Sequence, residues 1–449
     1  MNRKQFLQRS GALALGLGLL QSGCSTPGSS GPLTNWAGNL RYGSSEVLYP
    51  TTIDELRKAI ARIKRGKALG SQHSFSTVAD TTGTHLSTAK MNRILSLDKD
   101  NLVAWMEPGV SYGDLALWLD KQGYAVHNLA SLPHISVAGA CATATHGSGD
   151  YNGNLATAVR GMDIMKADGT IVTLDPSMPE FNGAVVHLGA LGVVTRIGLA
   201  VQPRFDMRQQ VFENLPMAAL ENHSHIIFSM GYSVSMFTHW RDKNINQVWV
   251  KHRIGDGYTG TYGNLYGATP ATTDLHPIKT NSAINCTEQM NKVGPWYERL
   301  PHFKMGFTPS NGAELQTEFF VPREHAFKAI MAVEALHEEV SPALFVTEIR
   351  TISAYELWMS PAYQQHIVSI HFTWKPEPDK VMPLIPKIEA ALKPFEPIPH
   401  WGKIFTMPLS ELTARYPRYA DFMELVRKYD PDGIWRNDFL DRNLYGQGA

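Results

Sequence analysis

With 449 residues, 43% of them hydrophobic, the chain is long enough to fill two domain cores of ordinary size. Its 41 basic and 41 acidic residues cancel to a formal charge of zero. No basic run of the kind that nucleic-acid binding needs is present, so composition excludes nucleic acid as a partner.

The first residues read as an export signal: Arg3, Lys4 and Arg9 form a positive region around and ahead of an apolar run from Gly11 to Leu20. That run is too short to span a bilayer comfortably. The order Asn2-Arg3-Lys4-Gln5-Phe6-Leu7 resembles a twin-arginine signal with lysine in the second arginine position, a route for folded, cofactor-loaded proteins; an ordinary secretory signal is the alternative. Cys24 after Ser22-Gly23 resembles the lipid-modified cysteine of bacterial lipoproteins, although Gln21 stands where leucine is expected. The Ser/Pro/Gly-rich stretch from Ser25 to Pro32 reads as a flexible tether. The expected location is outside the cytoplasm, either periplasmic or held on the inner membrane through Cys24. Oxidising surroundings permit disulfides, but nothing in the sequence pairs Cys141 with Cys286.

Thr51-Thr52-Ile53-Asp54-Glu55-Leu56 predicts a helix start, with a capping threonine, acidic residues in the first turn, and Leu56, Ile60 and Ile63 at helical spacing. The turn Gly70-Ser71-Gln72-His73-Ser74-Phe75 follows. Short apolar runs then alternate with turns at Leu102 to Trp105, Gly161 to Ala167, Thr170 to Leu174 and Gly192 to Val201, a mixed pattern without internal repeats. Past Gln202-Pro203 the strands lengthen: Val211 to Glu213, Asn246 to Ile254, Glu314 to Val321, Leu344 to Ile352 and Gln365 to Trp374 predict one large antiparallel sheet. A helix is predicted over Glu324 to Glu339, where Ala326, Ile330, Val333 and Leu336 form a core-packing stripe. Asp430-Pro431-Asp432-Gly433 reads as a turn near the C-terminus.

Two loops carry chemistry. The 70–75 turn and the pair Ser131-Leu132-Pro133-His134-Ile135-Ser136-Val137-Ala138-Gly139 and Thr143-Ala144-Thr145-His146-Gly147 combine small residues, which admit a backbone close to an anion, with hydroxyls that donate to phosphate oxygens. A nucleotide diphosphate suits such loops. His73, on a tight glycine-initiated turn, is placed as a nucleophile that could attack an isoalloxazine methyl. By spacing alone, a Gly-Ser-x-His turn is more often structural or solvent-exposed.

Together these motifs resemble the vanillyl-alcohol-oxidase superfamily of FAD enzymes, within it the branch of alditol and sugar-1,4-lactone oxidases, from about Trp36 to the end of the chain. The resemblance implies an α+β, two-domain flavoprotein. Residues 1–34 would be export signal and linker and 35–205 the FAD-binding domain; 206–404 would be the substrate domain, a large antiparallel sheet with flanking helices, and 405–449 a segment returning to the FAD domain. It implies FAD held covalently by His73 and contacted by Ala68, Leu69, Gly70, Ser71, Gln72, Ser74, Ser131, Ser136, Gly139, Thr143, Ala144, Thr145, His146 and Val193.

Within Phe345-Val346-Thr347-Glu348-Ile349-Arg350-Thr351 the two-residue period of a strand puts Glu348 and Arg350 on one face, and a second strand does the same with His371 and Thr373. From pattern alone this reads as a solvated sheet face more readily than as a pocket. The resemblance reverses that reading: in alditol oxidases a Glu-x-Arg pair, a His-x-Thr pair and the lysine of a His-Trp-Gly-Lys segment converge on substrate, which assigns Glu348, Arg350, His371, Thr373 and Lys403. Lys403, Arg350 and His371 are the expected catalytic residues; Ser131, Glu348, Arg350, Thr373 and Lys403 are expected to hold substrate. The implied reaction is oxidation of an alditol's primary hydroxyl to the aldose, with oxygen as acceptor and hydrogen peroxide as product. The alternative is a sugar-1,4-lactone oxidase or dehydrogenase of the same branch. Ala130 falls where a small residue gates oxygen in this family. A monomer is expected. Two other classes fare worse: His73 argues against a cofactor-free carbohydrate-binding lipoprotein, and no Gly-x-Gly-x-x-Gly follows a predicted strand. No His/Cys cluster has zinc spacing, so no metal is expected.

Overall fold

The structure is a computed structural model that describes residues 32–257, 265–306 and 314–446. The expected export signal and the lipidation expected at Cys24 therefore lie outside the described residues. Among the described residues no helix is long and apolar enough to cross a membrane. Cys141 and Cys286 are buried and free.

The first half is built on two small sheets. The helix Ile53–Ile60 forms as its sequence predicts: Thr52 caps it by accepting from the Glu55 N–H, and Leu56 and Ile60 are buried. It packs against a parallel sheet of Val47–Leu48, Thr84–Ser87 and Gly66–Leu69, whose last strand delivers the 70–75 turn. A five-stranded antiparallel sheet follows, in the order Ile94–Asp98, Val103–Met106, Val193–Ala200, Val159–Met165, Ile171–Leu174.

The second half is one nine-stranded antiparallel sheet. Its central order is Asp206–Pro216, Asn244–Arg253, Ser233–Thr238, Leu344–Ile352, Ile367–Trp374, Leu315–Pro322. Four of these strands match their predicted positions within about two residues, while the first extends far beyond Val211 to Glu213 on both sides. Ser233–Thr238 was not expected. All six of its residues are buried, so the contrast between an inner and an outer face that betrays a strand is missing.

The predicted helix over Glu324 to Glu339 is interrupted. A 3₁₀ turn at Arg323–His325 leads into Ala326–Glu334, and a separate helix, His337–Ala343, follows. Leu336, at φ −96° and ψ 10°, breaks the helical path, and the second piece turns the chain directly into the Leu344–Ile352 strand. The apolar stripe still packs inward at Ala326, Ile330 and Val333.

The C-terminal segment comes back to the first half. Ile434 O accepts from the Gly66 N–H at 2.9 Å, and Asn437 donates to the carbonyls of Thr77, Val78 and Asp80 while accepting from the Leu440 N–H. One buried amide thus shares its two hydrogens among three carbonyls and caps a helix N-terminus. Asn437→Ala should lower the free energy of unfolding by ~2–4 kcal/mol, since it leaves buried acceptors unmatched; urea denaturation followed by tryptophan fluorescence measures this, and a change within about 0.5 kcal/mol would show the clasp to be dispensable.

Candidate active site

The turn after Gly66–Leu69 is held by strain and stitching. Gln72 occupies the left-handed region at φ 62°, its carbonyl accepting from the Trp36 N–H at 2.8 Å and its side-chain amide donating to Thr34 O at 2.9 Å. This fixes the next residue. The His73 ring stacks on Trp36 with centroids 4.8 Å apart and planes 19° from parallel. Burial, with the nearby His134 and Lys403, pushes the imidazole down to about 3. Near neutral pH it is therefore uncharged and keeps a nucleophilic lone pair.

The second loop is tied to the first. Ser136 N–H donates to Ser71 Oγ at 3.0 Å across 65 residues of sequence. Ser136 Oγ itself is buried and, among the described residues, without a partner, and a Cβ on Gly70 or Gly139 would stand 2.6 or 2.8 Å from it. A hydroxyl with no protein acceptor, flanked by two positions open only because they are glycine, suits a phosphate oxygen. Ala144, at φ 56°, turns the chain after the short helix Val137–Ala142, and Thr143 and Thr145 bring their hydroxyls within 3.2 Å of each other. These residues fit the diphosphate of FAD.

The third wall is the 400–403 segment. Gly402 O accepts from the N–H groups of Phe75 and Ser76 at 2.7 and 3.2 Å, and Trp401 O from the Ser76 hydroxyl at 2.6 Å. The lysine that follows is thereby carried to the flavin turn: Lys403 Nζ lies 4.9 Å from the centre of the Phe75 ring.

The floor is the front face of the large sheet. Pairing aligns Glu318, His371, Glu348 and Phe237 across four neighbouring strands, with Gln316, Thr373 and Val346 in the next same-face row. On the opposite face the indoles of Trp374 and Trp240 donate to Thr317 and Thr347 within the core. All three walls and this floor line one cavity of about 300 Å³.

The two central carboxylates of the floor, Glu318 and Glu348, are both paired. His146 Nε2 meets Glu318 Oε1 at 3.0 Å, and Arg350 donates to the same oxygen at 3.2 Å. Burial alone would raise the Glu318 carboxyl, but His146, His371 and Arg350 hold it well below the ordinary range. Glu348 is likewise depressed against burial by Arg350 and by His302, which lies 2.6 Å away. His371 is pushed down to about 3 chiefly by burial, which Glu318 opposes and Lys403 and Arg350 reinforce, and its neutral ring donates from Nε2 to Gln316 Oε1 at 3.1 Å. That oxygen also accepts from Lys403, while the Gln316 amide donates to Glu314. Burial lowers Lys403 to about 8 despite Glu318 and Glu314.

Among the described residues one triad, His146, Glu318 and His400, has donor atoms within 4.8 Å of one another. Its lone pairs are engaged elsewhere. The Gly402 N–H donates to His400 Nδ1, so the hydrogen of that neutral ring is on Nε2, and Glu318 is held by Arg350. Glu318 is ion-paired with Arg350 and meets His146, and His400 stands beside them as a neutral ring.

The cavity gathers nearly every residue expected from the sequence: Ala68, Gly70, Ser71, Gln72, His73, Ser74, Ser131, Ser136, Gly139, Thr143, Thr145, His146, Glu348, Arg350, His371, Thr373 and Lys403 line it. Leu69, Ala144 and Val193 do not. Leu69 packs with Leu33 and Tyr42, Ala144 is in the main core, and Val193 packs with Leu56 and Trp435. Side chains alternate along a strand, so Val194 takes the lining position instead. The polar face that pattern alone read as solvated is a buried pocket. Sequence reasoning also passed over Glu314, Gln316 and Glu318, although their period-two spacing in a predicted strand was a visible signal, and over His302, whose loop carries none.

A family model described as an FAD binding domain matches residues 44–175, and one described as D-arabinono-1,4-lactone oxidase matches residues 307–443. Alditol oxidase from a Streptomyces species is 43% identical, the match covering 92% of this chain and 99% of that one. L-gulonolactone oxidase from Mus musculus is 26% identical over 92% of this chain and 98% of its own. Cholesterol oxidase from B. sterolicum shares the fold at a TM-score of 0.73 and 13% identity, covering 92% of this chain and 96% of that one.

Proposed function

The chain belongs to the FAD-dependent oxidase family that includes alditol oxidase, and on that premise we propose that it oxidises the primary hydroxyl of an alditol to the aldose, passing electrons to oxygen and releasing hydrogen peroxide. The observation that carries this reading is the convergence of Glu348, Arg350, His371, Thr373 and Lys403 with Ser131 and His73 on one cavity. Such a ring of donors and acceptors suits a neutral chain of hydroxyls and rejects analogues that leave them unpaired.

When bound, FAD supplies the hydride acceptor and returns the electrons to oxygen. The protein's own part is to take the proton and steady the oxygen that loses it. Lys403, lowered to about 8, is the base: as a neutral amine it donates one N–H to Gln316 Oε1 and keeps its lone pair for the substrate hydroxyl. The Arg350 guanidinium, buried between Glu318 and Glu348, adds positive potential where alkoxide character develops. Ser131, Thr373 and Glu348 hold the remaining hydroxyls. Ala130, small and on the lining beside Ser131, leaves room for oxygen.

Covalent attachment through His73 is part of the proposal, supported by the neutral imidazole and its stacking on Trp36. The second reading is a sugar-1,4-lactone oxidase, favoured by the family likeness of the C-terminal third.

Xylitol and sorbitol, assayed beside aldono-1,4-lactones for peroxide release, should be the better substrates; turnover of the lactones alone would reverse the assignment. On denaturing gels under ultraviolet light, wild type should show a fluorescent band that His73→Ala lacks, and a band persisting in the variant would remove His73 from the linkage.

Anaerobic flavin reduction by a polyol tests the base. Because the catalytic form of Lys403 is unprotonated and its folded pKa is about 8, the rate should rise with pH and level off above about 8. Lys403→Met should keep FAD, lose that step and slow reduction by about a hundredfold or more. If only the half-saturation concentration rises, Lys403 is a uniform binding contact and the base lies elsewhere.

A further inference from the structure

Lys251 is fully buried on the Asn244–Arg253 strand, behind the cavity and absent from its lining. Its Nζ donates to Leu300 O at 2.6 Å and Pro301 O at 3.1 Å and lies 3.3 Å from His302 Nδ1, three contacts that the protonated amine fills with its three hydrogens. Burial pulls Lys251 down to about 7 even though Glu348 opposes the shift, the mark of an ammonium that is costly to bury, and an apolar chain of similar length would fill the space without that cost. The lysine therefore does something that packing does not require.

We propose that Lys251 and His302 form a positioning relay that fixes Glu348 as the acceptor of a substrate hydroxyl, so that a residue out of reach of substrate helps set polyol recognition. Accepting from Lys251 at Nδ1 leaves His302 with its hydrogen on Nε2, which donates to Glu348 Oε1 at 2.6 Å. The ring cannot turn away: Phe237 and Trp249 meet it edge to face at centroid distances of 5.4 and 5.3 Å. Burial pushes His302 down to about 4, so the ring stays neutral and keeps the single tautomer that the lysine selects. Arg350 Nε approaches the same Oε1 at 3.5 Å. Among the described residues no donor takes Oε2, which leaves it to a hydroxyl from the cavity that Glu348 lines. Recognition of hydroxyl donors would thus depend on a three-residue chain whose far end lies in the core.

The relay rests on the polyol reading, and its test separates the two. His302→Gln keeps an N–H donor near the Nε2 position, whereas His302→Asn is too short to reach Glu348. In anaerobic flavin reduction by xylitol, His302→Asn should raise the half-saturation concentration by about tenfold or more, the scale of one lost hydrogen bond to a charged group, with the limiting rate changed by less than about threefold. His302→Gln should stay within about threefold of wild type, and Lys251→Met should follow His302→Asn. In a Glu348→Gln background, His302→Asn should add less than about twofold, because its effect runs through that carboxylate. Equal losses in the Asn and Gln variants, additive penalties, or a fall confined to the limiting rate would overturn the relay. If Lys251→Met does not fold, the His302 pair and the cycle still decide. A wild type reduced by a lactone and not by xylitol overturns the polyol reading alone, and the same comparison run with that lactone then decides the relay.

Discussion

A carboxylate buried without compensation is among the most expensive things a fold can contain, and Glu318, 2% exposed beneath the cavity, is the one on which this molecule is organised. It is tolerable because His146 comes from the loop above and Arg350 from a strand of its own sheet to meet one oxygen. Removing either partner would leave charge uncompensated at ~3–5 kcal/mol. His146 sits in the nucleotide loops and Glu318 on the large sheet, so satisfying this charge also decides how the two halves of the structure meet. The backbone bonds from Phe75 and Ser76 to Gly402 lock the same seam a few residues away.

The loops above the seam carry strain that the seam supports. Non-glycine residues in the left-handed region cost ~1–3 kcal/mol each, and Gln72 and Ala144 both sit in the cofactor loops. Gln72 is held by bonds from its carbonyl to Trp36 and from its amide to Thr34, and its strain serves to set His73 against the indole. A site built this way is preorganised: its polar atoms are aimed before a ligand arrives, and little ordering entropy remains to be lost on binding.

Burial also divides the labour among the titratable groups. His73 and His371 are both pushed down to about 3 and so act as neutral hydrogen-bonding groups at physiological pH, one a potential nucleophile and the other a fixed donor to Gln316. Lys403, at about 8 on the third wall, is placed to change charge beside the substrate during a reaction. Glu318 and Glu348 stay ionised because cations and imidazoles crowd them. The chain as a whole carries no net charge, so recognition of an uncharged substrate rests on these short-range hydrogen bonds and not on long-range steering.

What the sequence alone determined is what local chemistry can encode. Small residues and hydroxyls marked the nucleotide loops, and alternation placed Glu348 with Arg350 and His371 with Thr373. Helix spacing found Leu56 and Ile60, because 3.6- and 2-residue periods are written in neighbouring positions. Where burial on both faces erased the period, as in Ser233–Thr238, the strand was illegible, and where the chain had to turn at Leu336 the apolar stripe ran on past the end of the helix. Only the tertiary structure decided that the polar sheet face is a floor instead of a solvated surface, that Val194 and not Val193 faces the cavity, and that Lys251 supports His302. Those facts depend on contacts such as His146 with Glu318, 172 residues apart, and His302 with Glu348, 46 apart. No local pattern specifies such partners; they are chosen when burial forces each charge to find the opposite one that the fold brings within reach.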